Sequence, residues 1–155
     1  MKKICLFLCT LGFSLTTLLA QNSDDLLVAN KAFTGAKASK KKYRAIYQLD
    51  NADAKVIEKT FRNINNALKD PRLEGKIEIE LITFSGGTEA SMKGSKYEAD
   101  LKALIEKGVI VAQCNNSLKE RKITRDQLYD FIAIVPSGNG ELIIRQADGW
   151  SVIKP

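Results

Sequence analysis

Gly108-Val109-Ile110-Val111-Ala112-Gln113-Cys114-Asn115-Asn116-Ser117-Leu118-Lys119 is the stretch on which the fold turns. Val109 to Ala112 is a short apolar run with no alternation. Such a run suits a central parallel strand covered on both faces. Gly108 sits where a preceding helix would place its C′ glycine. Cys114 follows after Gln113, and Asn115, Asn116 and Ser117 offer N-caps for a short helix containing Leu118 to Arg121. Strand, turn and helix thus meet at one cysteine.

Working outward, Tyr43, Ala45, Tyr47 and Leu49 alternate at strand spacing, and Asp50-Asn51 stop the strand and can cap a helix. Ile57, Phe61, Ile64 and Leu68 then mark one helical face, ended by Asp70-Pro71. Lys76 to Phe84 reads as the next strand, and Glu78 and Glu80 give its first half a wet face. Ser85-Gly86-Gly87 breaks it, and a loop runs from Thr88 to about Lys96. Tyr97, Leu101, Leu104 and Ile105 mark the helix that Gly108 closes. Beyond the cysteine, Thr124-Arg125-Asp126-Gln127 has capping-box spacing. Phe131 to Val135 reads as a second fully apolar strand, ended by Pro136-Ser137-Gly138. A last helix near Glu141 to Ala147 is closed by Gly149, with Asn139-Gly140 at its entry, and Trp150 to Ile153 makes a final strand.

This alternation predicts an α/β fold with a mostly parallel sheet of five strands and helices on both faces. Right-handed crossovers leave few topologies. Sites in open α/β sheets form outside the C-terminal ends of strands. Three loops qualify: Ser85-Gly86-Gly87, Cys114-Asn115-Asn116 and Pro136-Ser137-Gly138.

The first twenty residues read as a secretory signal: Lys2 and Lys3, an uncharged and mostly apolar run from Ile4 to Leu19, then Ala20 before Gln21. The run is about 16 residues, short of the roughly 20 that a spanning helix needs. Leu18 stands where a small residue is preferred, so a retained anchor is the competing expectation. Residues 21–42 are polar and Lys-rich, a linker or arm before a domain over 43–155. The chain carries 24 Lys+Arg and 18 Asp+Glu; losing Lys2 and Lys3 lowers its net charge from +6 to +4. That mild balance, without an aromatic-basic stripe, argues against a nucleic-acid partner. The basic cluster Lys37, Lys40, Lys41, Lys42 and Arg44 reads as a solvated lead-in to the first strand, with weak membrane-surface contact as the alternative.

Cys5 and Cys9 lie in the signal, so the mature chain keeps only Cys114. A lone cysteine in an oxidising compartment is buried, paired with another molecule, or chemically used. The sequence has no histidine, which removes Ser-His and Cys-His catalysis and the commonest metal ligand. One cysteine and scattered carboxylates make a zinc site improbable. No dinucleotide fingerprint or phosphate-loop motif is present, so neither cofactor nor metal is expected. A thiolate just before a helix N-terminus is stabilised by the amide dipoles, and Lys119 and Arg121 on the same helix add positive potential. The bland reading is an inert cysteine ending a buried strand. Ser85-Gly86-Gly87 offers N–H groups to an anion, or is an ordinary turn. Gln146, Asp148 and Trp150 read as packing and capping.

The stretch Gly108-Val109 through Cys114-Asn115-Asn116-Ser117-Leu118-Lys119 resembles the DsrE/DsrF-like sulfur-relay proteins, in which a GV-x-x-x-x-C-x-N-T/S-L-K pattern is typical. Ile134-Val135-Pro136-Ser137-Gly138, then Gln146-Ala147-Asp148-Gly149-Trp150 and Ile153-Lys154-Pro155, is similar to that family's ending. The resemblance covers roughly Tyr43 to Pro155. It implies a three-layer α/β/α fold, flavodoxin-like in outline, assembled as trimers or hexamers. It implies that Cys114 is the sulfur-accepting cysteine and Asn116 the adjacent Asn of the motif. Family members often carry His-Gly after the second strand; Ser85-Gly86 stands there in this chain.

Two functions follow as expectations. In the first, an exported sulfur carrier, periplasmic or secreted, Cys114 receives sulfane sulfur from a donor protein or small polysulfide. It holds that sulfur as a persulfide and passes it to an acceptor protein. Asn115, Asn116, Ser117, Ser85, Gly86, Gly87, Pro136, Ser137 and Gly138 support the site. In the second, the domain is a non-catalytic oligomeric binding module, holding a small anion near Gly86 and Gly138 or a protein partner.

Overall fold

A computed structural model describes residues 23–155 of the 155-residue chain; the expected signal segment, 1–20, lies outside the described residues. Lys37–Pro155 forms one compact unit, and the described residues before it form another. Within the latter, α1 (Ser23–Ala32) carries Asp24 and Asp25 in its first turn and Lys31 in its last, charges that complement the helix dipole. None of its residues is buried. The polar stretch before the domain therefore contains a helix where the sequence reads as linker.

The larger unit alternates strands and helices throughout: β1 (Tyr43–Leu49), α2 (Ala54–Leu68), β2 (Ile77–Thr83), a 3-10 helix over Ser85–Ser91, α3 (Glu98–Glu106), β3 (Ile110–Cys114), α4 (Asn115–Arg121), a 3-10 turn over Arg125–Gln127, β4 (Ala133–Val135), α5 (Gly138–Ala147) and β5 (Ser151–Ile153). The five strands make one sheet in the order β4-β3-β2-β1-β5, and every pairing is parallel. The chain steps from β1 to β4 in one direction. It then returns through α5 to place β5 on the far side of β1.

Two apolar clusters flank the sheet. Tyr47, Ile79, Leu81 and Val111 alternate onto one face, where Ile57, Phe61 and Ile64 of α2 and Leu101 and Leu104 of α3 cover them. The apolar stripe read from α2 is the stripe that packs, and the Asp53 side chain caps its first turn by accepting from Lys55 N–H at 2.7 Å. Ile46, Ile82, Ala112 and Trp150 occupy the other face, joined by Leu142 of α5. Helices therefore lie on both faces, as the alternation requires. Gly108 and Gly149 have φ of +85° and +81° just past α3 and α5, the left-handed geometry that ends a helix and favours glycine.

The structure corrects four readings. The loop after β2 coils as a 3-10 helix over Ser85–Ser91. The apolar run Phe131–Val135 is a strand only in part: Ala133–Val135 pairs, at the sheet's edge, and Ala133 and Ile134 are exposed. Glu80 is not on a wet face. It is 1% exposed, because α5 crosses above it and brings Arg145 Nη2 to 2.6 Å from its Oε2. The pair is close but misaligned for a hydrogen bond, and both Glu80 oxygens lack one. Finally, α4 begins one residue earlier than its candidate caps suggest, with Cys114 itself as N-cap.

Candidate functional site

β3 ends in Cys114 at the edge of the second cluster, since the side chain shares the side of the strand taken by Ala112. β3 pairs with β4 so that Cys114 stands opposite Val135. Both strands therefore run out side by side, and each leads directly into a helix. Ser137 caps α5, its Oγ accepting from Gly140 N–H at 3.2 Å. The first turn of α5 thus lies next to the first turn of α4.

The Cys114 sulfur receives amide donors from both helices. Ser117 N–H of α4 points at Sγ from 3.5 Å, and the backbone amides of Gly138 and Asn116 favour its thiolate as well. Burial of the thiol pushes its pKa up. The backbone donors of Ser117, Gly138 and Asn116, with the Ser117 hydroxyl, outweigh burial and hold the thiol below its ordinary 9.0. The sulfur is addressed by amides and a hydroxyl rather than by a cation. Arg121 is engaged elsewhere: Nη1 donates to Ser85 C=O at 2.7 Å and Nη2 pairs with Glu89. Lys119 is exposed. Cys114 is 4% exposed, so the sulfur is an N-cap atom in a closed pocket of donors.

Ser85, Ser117 and Cys114 form a chain of donors. Ser85 N–H donates to Ser117 Oγ at 2.9 Å, which leaves the Ser117 hydroxyl proton for the sulfur. Ser85 adopts a left-handed conformation, φ +47°, uncommon for a residue with a side chain and a local cost of about 1–3 kcal/mol. That conformation lets its N–H face Ser117 while its C=O faces Arg121. Gly86 and Gly87 are needed for close approach: a Cβ on Gly87 would lie 2.0 Å from Leu49 O, and one on Gly86 2.8 Å from Ala52 N. Gly87 N–H is taken by Phe84 C=O at 2.9 Å. These glycines let the turn pack on the end of β1. A Cβ on Gly138 would meet the Phe84 ring at 3.0 Å, so its bareness lets the α5 N-terminus approach. Asn115 is half-buried, the Asn116 side chain is exposed, and Pro136 is an exposed link into the Ser137 cap.

The sequence reading missed a buried polar network behind the cysteine. Gln113 is fully buried. Its Oε1 accepts from the Thr83 hydroxyl at 2.7 Å, and its Nε2 donates to Thr88 Oγ1 at 3.1 Å and to Cys114 C=O at 3.0 Å. Ser91 Oγ lies 3.1 Å from Thr83 Oγ1. The network ties β2, the 3-10 helix and the Cys114 carbonyl together. One amide residue in an apolar strand was its only signal in the sequence. Among the described residues no group of His, Cys, Asp and Glu is arranged to hold a metal.

The model of the DsrE/DsrF-like family matches residues 66–155. No curated protein matches the chain. Among solved structures, a protein of unknown function from Methanobacterium thermoautotrophicum, MTH1491, is 30% identical with a TM-score of 0.70, covering 74% of this chain and 100% of that one. The ychN protein from E. coli is 18% identical, TM-score 0.59, covering 75% of this chain and 100% of its own. BT1422 from Bacteroides thetaiotaomicron, of unknown function, is 13% identical, TM-score 0.55, covering 78% and 100%. These last two show the fold alone. The match over 66–155 contains Cys114, both helix N-termini and the closing strand, and the chain belongs to the DsrE/DsrF-like family, in general one of sulfur-relay proteins.

Proposed function

We propose that the protein is an exported sulfur carrier that holds sulfane sulfur as a persulfide on Cys114. The observation that carries this reading is the Cys114 sulfur standing as the N-cap of α4, hydrogen-bonded by Ser117 N–H and held below the ordinary thiol pKa despite its burial. A thiolate there is stabilised against its burial, and the thiolate is the nucleophile. In the first step the Cys114 thiolate attacks the sulfane sulfur of a donor persulfide or small polysulfide. A sulfur–sulfur bond forms at Sγ, the donor's sulfur–sulfur bond breaks, and the donor leaves as a thiolate. In the second, an acceptor thiolate attacks the outer sulfur and Cys114 departs as thiolate. Each step moves one zero-valent sulfur with no net redox change, so no redox cofactor is required. The amides that hold the thiolate also suit the anionic persulfide. Closure around Sγ favours small polysulfides over bulky donors.

Mass spectrometry of the protein after mild polysulfide treatment tests the reading. It requires an adduct of about 32 Da, one sulfur on one thiol, that is absent from Cys114→Ser. No adduct on the folded wild type would overturn it. The burial of Cys114 favours the second reading, a non-catalytic binding module; in that case thiol-directed reagents label folded Cys114 as slowly as any core cysteine.

Export and assembly belong to the same proposal. The order of residues 1–20 supports cleavage after Ala20, and a mature N-terminus at Gln21 in the periplasm or medium would establish it. Among the described residues no helix is long and apolar enough to cross a membrane. Ile143 and Ile144 on α5, 69% and 58% exposed, and the half-exposed Ile110 support a homo-oligomer, a trimer or hexamer. Light scattering of the purified protein tests this directly.

A further inference from the structure

A cleft of about 420 Å³ opens at the end of the sheet opposite Cys114, within the 300–1,000 Å³ range of small-molecule sites. It exists because two elements stop short. α2 ends at Leu68, and β5 pairs only with Ala45–Tyr47, so the Tyr43 end of β1 has no strand on that side. Ala67, Leu73, Ile77 and Ile153 make its floor apolar. Its rim carries Lys40, Lys42 and Arg44. Lys42 and Arg44 share a single carboxylate, Glu78, at 2.5 and 3.1 Å, and Lys40 has no acidic partner among the described residues. The rim is therefore cationic in excess, and three of the five basic residues of the cluster before β1, Lys40, Lys42 and Arg44, meet there.

Tyr47 supplies an independent observation. It lines the cleft with its ring almost wholly covered, 4% exposed, and its hydroxyl oxygen, not one of the buried unpartnered polar atoms, opens to the cleft. Burial alone acts on it, and pushes its pKa up. A hydroxyl on the cleft wall is placed to donate to a ligand oxygen.

We propose that this cleft binds a small organic anion with an apolar body, of the medium-chain carboxylate class. The chain lies on the Ala67–Leu73–Ile153 floor, a ligand oxygen accepts from the Tyr47 hydroxyl, and Lys40 with its neighbours balances the charge. This site is independent of the Cys114 reading.

Calorimetric titration of the full chain with decanoate, and separately with decan-1-ol, tests it. Saturable decanoate binding is expected, about tenfold or more tighter than decanol. Lys40→Glu with Lys42→Glu weakens decanoate about tenfold, Tyr47→Phe weakens it several-fold, and Ala67→Trp, which fills the floor, abolishes it. Cys114→Ser leaves it unchanged. The charge-reversed pair lies on the surface, so the test stands even where Ala67→Trp fails to fold. Three results would each overturn the proposal: no saturable binding up to about 1 mM, equal affinity for decanoate and decanol, or equal affinity of wild type and the charge-reversed variant. So would capture by phosphatidylglycerol vesicles without decanoate binding, which would make the rim a membrane contact.

Discussion

Among the described residues, the face of the sheet under α2 and α3 gathers sixteen buried apolar side chains in one cluster, whereas the face crossed by α5 gathers four. The first face contains fully buried Leu49, Ile64, Leu81 and Leu101. The second holds a buried carboxylate with no hydrogen bond, an N-cap cysteine, and a helix whose Ile143 and Ile144 face outward. Apolar burial stabilises roughly in proportion to area, so stability is concentrated on one side. The other side carries the sulfur and the buried carboxylate, and the same helix, α5, touches both of them: its first turn at Cys114 and its last at Glu80.

Truncation separates the faces most sharply. Ile64→Ala leaves a cavity in a close-packed layer, with an expected cost of about 3–5 kcal/mol. Leu142→Ala, on partly buried α5, costs about 1–2 kcal/mol. Urea unfolding of both variants measures the difference, and equal losses would break the comparison.

Arg145 comes next. It is one-quarter exposed, stacks on Trp150 with its Cζ 4.3 Å from the ring centre, and lies between Glu80 and Glu141. Arg145→Met strands the Glu80 carboxylate, at an expected cost of about 2–4 kcal/mol. Adding Glu80→Gln returns part of that loss, because the stranded charge is gone. Two variants with simply additive losses would show that the pair is uncoupled.

Glu80 and Cys114 also give the second face opposite pH slopes. Burial raises the Glu80 pKa above the ordinary 4.5, and Arg145 opposes this only in part. Between 4.5 and the higher folded value the native state binds more protons than the unfolded one. Stability therefore falls as pH rises through that window. Cys114 is lowered below 9.0, so from its folded pKa up to 9.0 stability rises with pH. Unfolding free energies across both windows should lose the first slope in Glu80→Gln and the second in Cys114→Ser.

These particulars show what the sequence could reveal. β1 and α2 are legible because alternation and a 3.6-residue stripe are local properties. Cys114 before a helix, and the glycines closing α3 and α5, are local too. Glu80 was misread because a carboxylate in a strand signals water unless its partner is known, and Arg145 lies far along the chain. Phe131–Val135 was misread because apolar character does not say which neighbours arrive; β4 is an edge. The Gly138 amide reaches the sulfur only because Cys114 pairs opposite Val135, a register no single segment encodes. Gln113 stood in view, but its partners Thr83 and Thr88 come from a different strand and the turn beyond it.

The smallest expected effect tests the site itself. Ser117 contributes two donors to the sulfur, its N–H and its hydroxyl, and the hydroxyl is oriented by Ser85 N–H. Ser117→Ala keeps the backbone donor and removes the hydroxyl, so it should leave the fold intact. The Cys114 titration midpoint should move up toward the ordinary value, and alkylation by a small reagent at near-neutral pH should slow several-fold. Ser117→Thr, which restores a hydroxyl, should recover much of the rate. Ser85→Ala keeps the N–H that orients Ser117 and should leave the rate unchanged. If Ser117→Ala and wild type titrate together, the amides of the two helices alone set the thiol's acidity, and the chain from Ser85 plays no part in it.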